Sequence, residues 1–81
     1  MARNTITLTN AWQQLATVSA VIRVISSRPG AVVLFNESAT DLDAFSDNVQ
    51  PDDQYSQNES KPTFARVSSG GDVTVFVDEE G

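Results

Sequence analysis

Short runs of this chain place apolar and β-branched residues with a period of two, the signature of strands. Asn4-Thr5-Ile6-Thr7-Leu8-Thr9 sets threonines against Ile6 and Leu8 and predicts a first strand. Asn10-Ala11 breaks the pattern. Trp12, the only tryptophan, reads as a core anchor, and residues 13–17 suit a short strand or a bend. Residues 19–25 and 31–36 form two further apolar runs separated by Ser26-Ser27-Arg28-Pro29-Gly30. Pro29 presets φ for the first central position of a type II turn and Gly30 accepts the positive φ of the second, so these strands are expected to pair as a hairpin. The last third repeats the arrangement. Thr63-Phe64-Ala65-Arg66-Val67, the turn Ser68-Ser69-Gly70-Gly71 and the run Asp72-Val73-Thr74-Val75-Phe76-Val77 predict a closing hairpin.

Several of these strands are apolar on both sides. Val73, Val75 and Val77 make one row, and Phe76 interrupts the polar row of Asp72, Thr74 and Asp78. Ala20, Ile22 and Val24 oppose Val21, Arg23 and Ile25, and Val32 and Leu34 oppose Val33 and Phe35. A sheet in a sandwich has one inward face, so a second apolar row drawn from Val21, Ile25, Phe35 and Phe76 is expected outside, rimmed by Arg23, Arg28 and Arg66. A partner chain would cover that row. The competing expectation is that the segment 37–60 folds back over one sheet with Leu42, Phe45 and Val49.

Between Glu37 and Lys61 seven carboxylates face a single lysine, and β-branched residues become scarce. Leu42, Phe45 and Val49 fall at helical spacing, with Thr40 placed to cap a first turn, so this long acidic loop has room for a short helical turn. Pro51-Asp52-Asp53 marks a turn, and Gln54-Tyr55-Ser56 suits a short edge strand. A structureless loop of this length is uncommon in a compact domain, so partial order is expected. With no long helix to cross between parallel strands, the fold class is all-β: a single domain over residues 1–81, a small antiparallel β-sandwich or barrel.

Composition narrows the function classes. Eighty-one residues are near the size at which one core barely offsets the entropy of ordering the chain, which favours oligomer contacts or a larger host assembly. The chain has no cysteine for disulfides or thiolate ligands and no histidine for general base chemistry, so neither an enzyme nor a cofactor is expected. A net charge of −6 repels phosphate backbones, which argues against nucleic acid. No apolar run approaches the roughly 20 residues of a spanning helix, and residues 1–4 do not open a secretory leader, so synthesis in the cytoplasm without a membrane partner is expected. The sequons at Asn36 and Asn58 therefore count for little. Asp41, Asp43 and Asp47 offer oxygen ligands, yet a calcium loop needs a further ligand at Phe45, a glycine at Ser46 and a glutamate at Asp52, so no metal is expected. Ser68–Asp72 lacks the spacing and lysine of a phosphate loop. Trp12, Phe64 and, as the alternative to its place in the outer row, Phe35 are expected in the core, though an exposed Trp12 or Tyr55 beside carboxylates would suit a carbohydrate or receptor-binding module. Regularly spaced carboxylates on a rigid surface would instead suit an acidic mimic of DNA.

The order of segments resembles that of small virion proteins of tailed bacteriophages. The matching residues are Thr7-Leu8-Thr9-x-x-Trp12-x-x-Leu15-Ala16, then Ala20-Val21-Ile22-Arg23-Val24, then Phe64-Ala65-Arg66-Val67 and Gly70-Gly71-Asp72-Val73-Thr74-Val75. They cover most of the chain. Similar proteins carry a more apolar, glycine-rich middle, from which the acidic stretch 37–61 departs. The resemblance implies a non-enzymatic structural component of the virion: a capsid decoration protein that clamps neighbouring shell subunits, or an adaptor at the neck, tail or fibre. It implies a capsid or other virion protein as partner, self-association in many symmetric copies, and contact residues among Val21, Arg23, Ile25, Phe35, Arg66 and Phe76.

Overall fold

A computed structural model of the chain describes residues 2–79, so residues 1, 80 and 81 of the expected domain lie outside the described residues. Eight strands follow one another: β1 (Ala2–Leu8), β2 (Gln13–Ala16), β3 (Ala20–Ser26), β4 (Val32–Asn36), β5 (Phe45–Asn48), β6 (Gln54–Gln57), β7 (Thr63–Ser69) and β8 (Val73–Glu79). Four antiparallel pairs organise them, β1 with β8, β2 with β7, β3 with β6 and β4 with β5. These are the rungs of one long hairpin whose tip is the β4–β5 connection. Rolled over on itself, that hairpin gives two four-stranded sheets of order β1-β8-β3-β6 and β2-β7-β4-β5. The architecture is an all-β sandwich with the connectivity of a small jelly roll.

This connectivity corrects both expected hairpins. The turn at Pro29-Gly30 forms as its residues predict: Gly30 has φ 82° and the Ala31 N–H donates to the Arg28 carbonyl at 3.1 Å. Its strands nevertheless part, β3 pairing with β8 and β6 while β4 pairs with β7 and β5. The Ser68–Asp72 turn likewise carries the chain from β7 in one sheet to β8 in the other. The physical reason is that strands apolar on both faces gain more by lying across the sandwich from each other, where each adds a row to the shared interior, than by sharing one sheet.

The interior is filled by alternate residues of both layers. Ala20, Ile22 and Val24 of β3 and Val73, Val75 and Val77 of β8 face Val33 and Phe35 of β4 and Ala65 and Val67 of β7. Leu8, Leu15, Ala16, Ala31 and Val49 close the ends. Three register shifts interrupt the ladders, one of them between Val32 and Val33 of β4 against β7. The register of β2 shifts between Gln14 and Ala16, which lets Leu15 and Ala16 both turn inward, and that of β3 shifts between Val24 and Ser26, which leaves Ile25 unpaired and 45% exposed. Of the aromatics expected in the core, only Phe35 is buried there; Trp12 and Phe64 are half-buried on the outward side of the second sheet.

No helix forms in the acidic segment. Phe45–Asn48 becomes β5 instead, paired with β4, and Gln54–Gln57 becomes the expected edge strand β6, paired with β3. Helical spacing of Leu42, Phe45 and Val49 fails because only Val49 reaches the core, while Leu42 and Phe45 stay 74% and 54% exposed. Between the two strands, Pro51-Asp52 makes a turn with Asp52 at φ 75°, and the Val24 N–H donating to Asp53 and the Asp52 N–H donating to Val24 lock it against β3 at 2.8 Å each.

Candidate partner interface

The outward faces of the two sheets differ in kind. On the second sheet the outward row contains Val32, Leu34, Phe64 and Arg66. The segment after β4 folds back toward this face through Asp41. Its carboxylate accepts from Arg66 Nε at 2.9 Å and Nη2 at 2.6 Å, and from Trp12 Nε1 at 3.1 Å. The Arg66 guanidinium also sits 5.8 Å from the centre of the Trp12 ring. A planar fork on a carboxylate is the strongest side-chain geometry available here, and it leaves the Arg66 side chain only 19% exposed. The same contact holds the Asp41 carboxyl below its ordinary pKa, first through the Arg66 hydrogen bonds. Asn36 stiffens the segment by donating to the Thr40 and Leu42 carbonyls.

Among the described residues, none straps the first sheet in this way. Thr5 of β1, Phe76 of β8, Arg23 of β3 and Gln54 of β6 fall in one cross-strand row, and Arg3, Asp78, Val21 and Ser56 in the next. Phe76 and Val21 are half-buried, supported on both sides by polar neighbours. The Arg23 guanidinium lies 5.9 Å from the centre of the Phe76 ring, and Arg3 Nε is 3.5 Å from Asp78 Oδ1. Arg3, Val21, Arg23, Gln54, Phe76 and Asp78 enclose a shallow hollow of about 340 Å³, every wall of it a strand residue. The hollow thus combines an aromatic ring and an arginine, residue types enriched at protein contact surfaces, with a rim of mixed charge.

Of the six residues singled out from the sequence, the structure therefore brings together Val21, Arg23 and Phe76, with Ile25 two residues beyond Arg23 on the same strand. Arg66 lies on the opposite face and is engaged by Asp41. Phe35 points inward, 3% exposed, and its ring stacks on Tyr55 at 4.4 Å and 3°. Its expected outward position was wrong because β4 is apolar on both sides, and only Val33 and Phe35 complete the interior rows. Arg3, Gln54 and Asp78 were not anticipated. Their cross-strand partners lie far away in sequence, so no local signal could join them.

A second hollow opens where β5 and β6 stand at the same side of the sandwich. Phe35, Phe45 and Tyr55 line it together with Glu37, Gln57, Glu59 and Lys61. The Lys61 ammonium bridges Glu59 at 2.7 Å and Glu37 at 3.4 Å, and burial, then the Glu37 charge, pushes the Tyr55 hydroxyl above its ordinary pKa. Among the described residues no cluster of three metal-ligating groups occurs, and no helix is long and apolar enough to cross a membrane. Comparison with protein families, with curated proteins and with solved structures finds no match for this chain.

Proposed function

We propose that this chain is a non-enzymatic structural protein of a tailed-phage particle, a capsid decoration protein that binds the assembled shell through the outward face of its first sheet. The observation that carries the reading is the contrast between the two faces: one is strapped by Asp41 of the chain's own loop, while the other presents Phe76 and Val21 within a rim of Arg23, Arg3 and Asp78. Small size supports it, since an 81-residue sandwich gains from burying a face against a larger body. Contacts present only on the assembled shell would stabilise that shell by mass action. The same face would serve a neck, tail or fibre adaptor. Position of the gene beside capsid or tail genes distinguishes these from a role outside the virion.

The direct test is sedimentation. Particles released from the source strain are banded by density, and the chain is expected to travel with DNA-filled heads, whereas Phe76→Asp stays in the soluble fraction with an unchanged circular dichroism spectrum. Wild-type chain found only in the soluble fraction ends the reading. If Phe76→Asp unfolds, Phe76 belongs to the interior and the assigned face is wrong.

The hollow at the β5–β6 side favours a second reading, a carbohydrate or receptor-binding module, because it combines the rings of Phe45 and Tyr55 with amide and carboxylate groups. Binding of the isolated protein to immobilised glycans, lost in Phe45→Ala, would support it over decoration.

A further inference from the structure

We propose that β1 is a pairing edge through which two copies of this chain join antiparallel, extending the first sheet from four strands to eight. Four strands stand at sheet edges: β1 and β6 in the first sheet, β2 and β5 in the second. Three are blunted. β5 and β6 have four residues each, and β2 has four with a bulge in its register. β1 differs from all of them. It runs for seven residues and pairs with β8 in unbroken register from Ala2 to Leu8, and it holds no proline, no lysine and no bulge. Alternate residues of an edge strand turn N–H and C=O away from their own sheet, so a strand of this length and regularity is a template for another.

Charge selects this edge as the place, and the strand's own self-complementary side chains select a second copy as the occupant. With a net charge of −6, two copies repel wherever carboxylates meet. Seven of the eleven carboxylates lie between Glu37 and Glu59, in the segments that carry β5 and β6, the edges remote from β1 and β2. On β1 the only ionisable side chain is Arg3, which sits against Asp78 of β8. Antiparallel pairing sets the strand against itself. The exposed outward residues Thr5 and Thr7 meet the same pair of the second copy as β-branched, hydroxyl-bearing neighbours, and the two Arg3 side chains fall at opposite ends of the ribbon. The outward faces carrying Phe76, Val21 and Arg23 then become one continuous surface repeated about a two-fold axis. This names the geometry of self-association within the decoration reading, and only that last consequence rests on it.

Light scattering on the full chain across a micromolar to millimolar series is expected to rise from 8.7 kDa toward twice that mass. The double variant Thr5→Lys/Thr7→Lys places like charges opposite each other and is expected to weaken dimerisation at least tenfold, with a melting temperature that matches the wild type at concentrations where both are monomeric. Ser46→Lys/Asn48→Lys, on exposed positions of β5, makes the same change in net charge and is expected not to weaken it. A wild-type chain monomeric throughout, or a dimer indifferent to the β1 variant, overturns the proposal. Should the β1 variant fail to fold, amide exchange of the wild type decides: protection at alternate β1 amides must grow with concentration, and protection that stays constant overturns the pairing. A monomer that still bands with particles sinks the edge pairing and spares decoration, while a dimer that ignores them does the reverse.

Discussion

At the scale of single residues, the polar groups that fold into this sandwich separate into paired and unpaired. Thr63 is 1% exposed and its hydroxyl finds no partner among the described residues. A buried hydroxyl without a hydrogen bond costs more than the same volume of hydrocarbon, so Thr63→Val is expected to raise unfolding stability by about 1 kcal/mol, read from urea denaturation. Asp41 is the opposite case, with both carboxylate oxygens engaged by Arg66 and one also by Trp12. Because its folded pKa lies below the ordinary 3.8, its contribution is present above that value and is lost as pH falls through the depressed folded one. The Trp12 indole N–H resonance is expected to shift with a midpoint below 3.8, and Asp41→Asn to abolish the shift. A midpoint at or above the ordinary value would mean the strap is open in solution.

At the scale of elements, the strands decide which sheet each joins, and the turns between the sheets must then fit against one another. Gly70 shows this most sharply. It adopts φ 92°, and a Cβ there would lie 2.5 Å from the Ala31 Cα and 2.9 Å from its nitrogen, which is backbone of the β3–β4 turn. The β3–β4 and β7–β8 turns, both of which cross between the sheets, thus pack against each other at one end of the sandwich. Gly70→Ala must move that backbone as well as strain its own, so a loss of about 2 kcal/mol or more is expected by denaturation, against a smaller loss for Gly30→Ala, whose Cβ meets open space. Strand positions were legible locally: period-two and apolar β-branched runs located β1, β3, β4, β7 and β8, and turn residues located the Pro29-Gly30 bend and the start of β6. Strand β5 was not legible, because Phe45–Asn48 is exposed throughout and acquires its extended form from pairing with β4.

At the scale of the whole molecule, the rolled hairpin makes nearly every pairing long-range, with Ala2 opposite Glu79 and Gln13 opposite Ala65. Only β4 and β5 meet through a short connection, Phe35 opposite Phe45. Loop closure must precede most of the stabilising contacts, so refolding is expected on the millisecond-to-second scale, typical of sandwiches, and stopped-flow Trp12 fluorescence would measure it. Microsecond refolding would contradict the topology. The candidate site obeys the same rule. Val21 and Phe76 could be suspected from the two-sided composition of their own strands, whereas their junction with Arg3, Gln54 and Asp78 exists only once β1, β8, β3 and β6 lie side by side.

Composition and periodicity alone determined that this chain is all-β, strongly acidic, without cysteine or histidine, and supplied with more apolar rows than one sheet face can hide. Those properties are local, because backbone geometry fixes which side chains share a face. The tertiary structure decided which of two apolar rows on a strand turns inward, which strands become neighbours, and that Arg66 answers to Asp41 while Arg23 stays beside Phe76. Those outcomes depend on contacts between residues tens of positions apart, whose energies no short stretch of sequence contains.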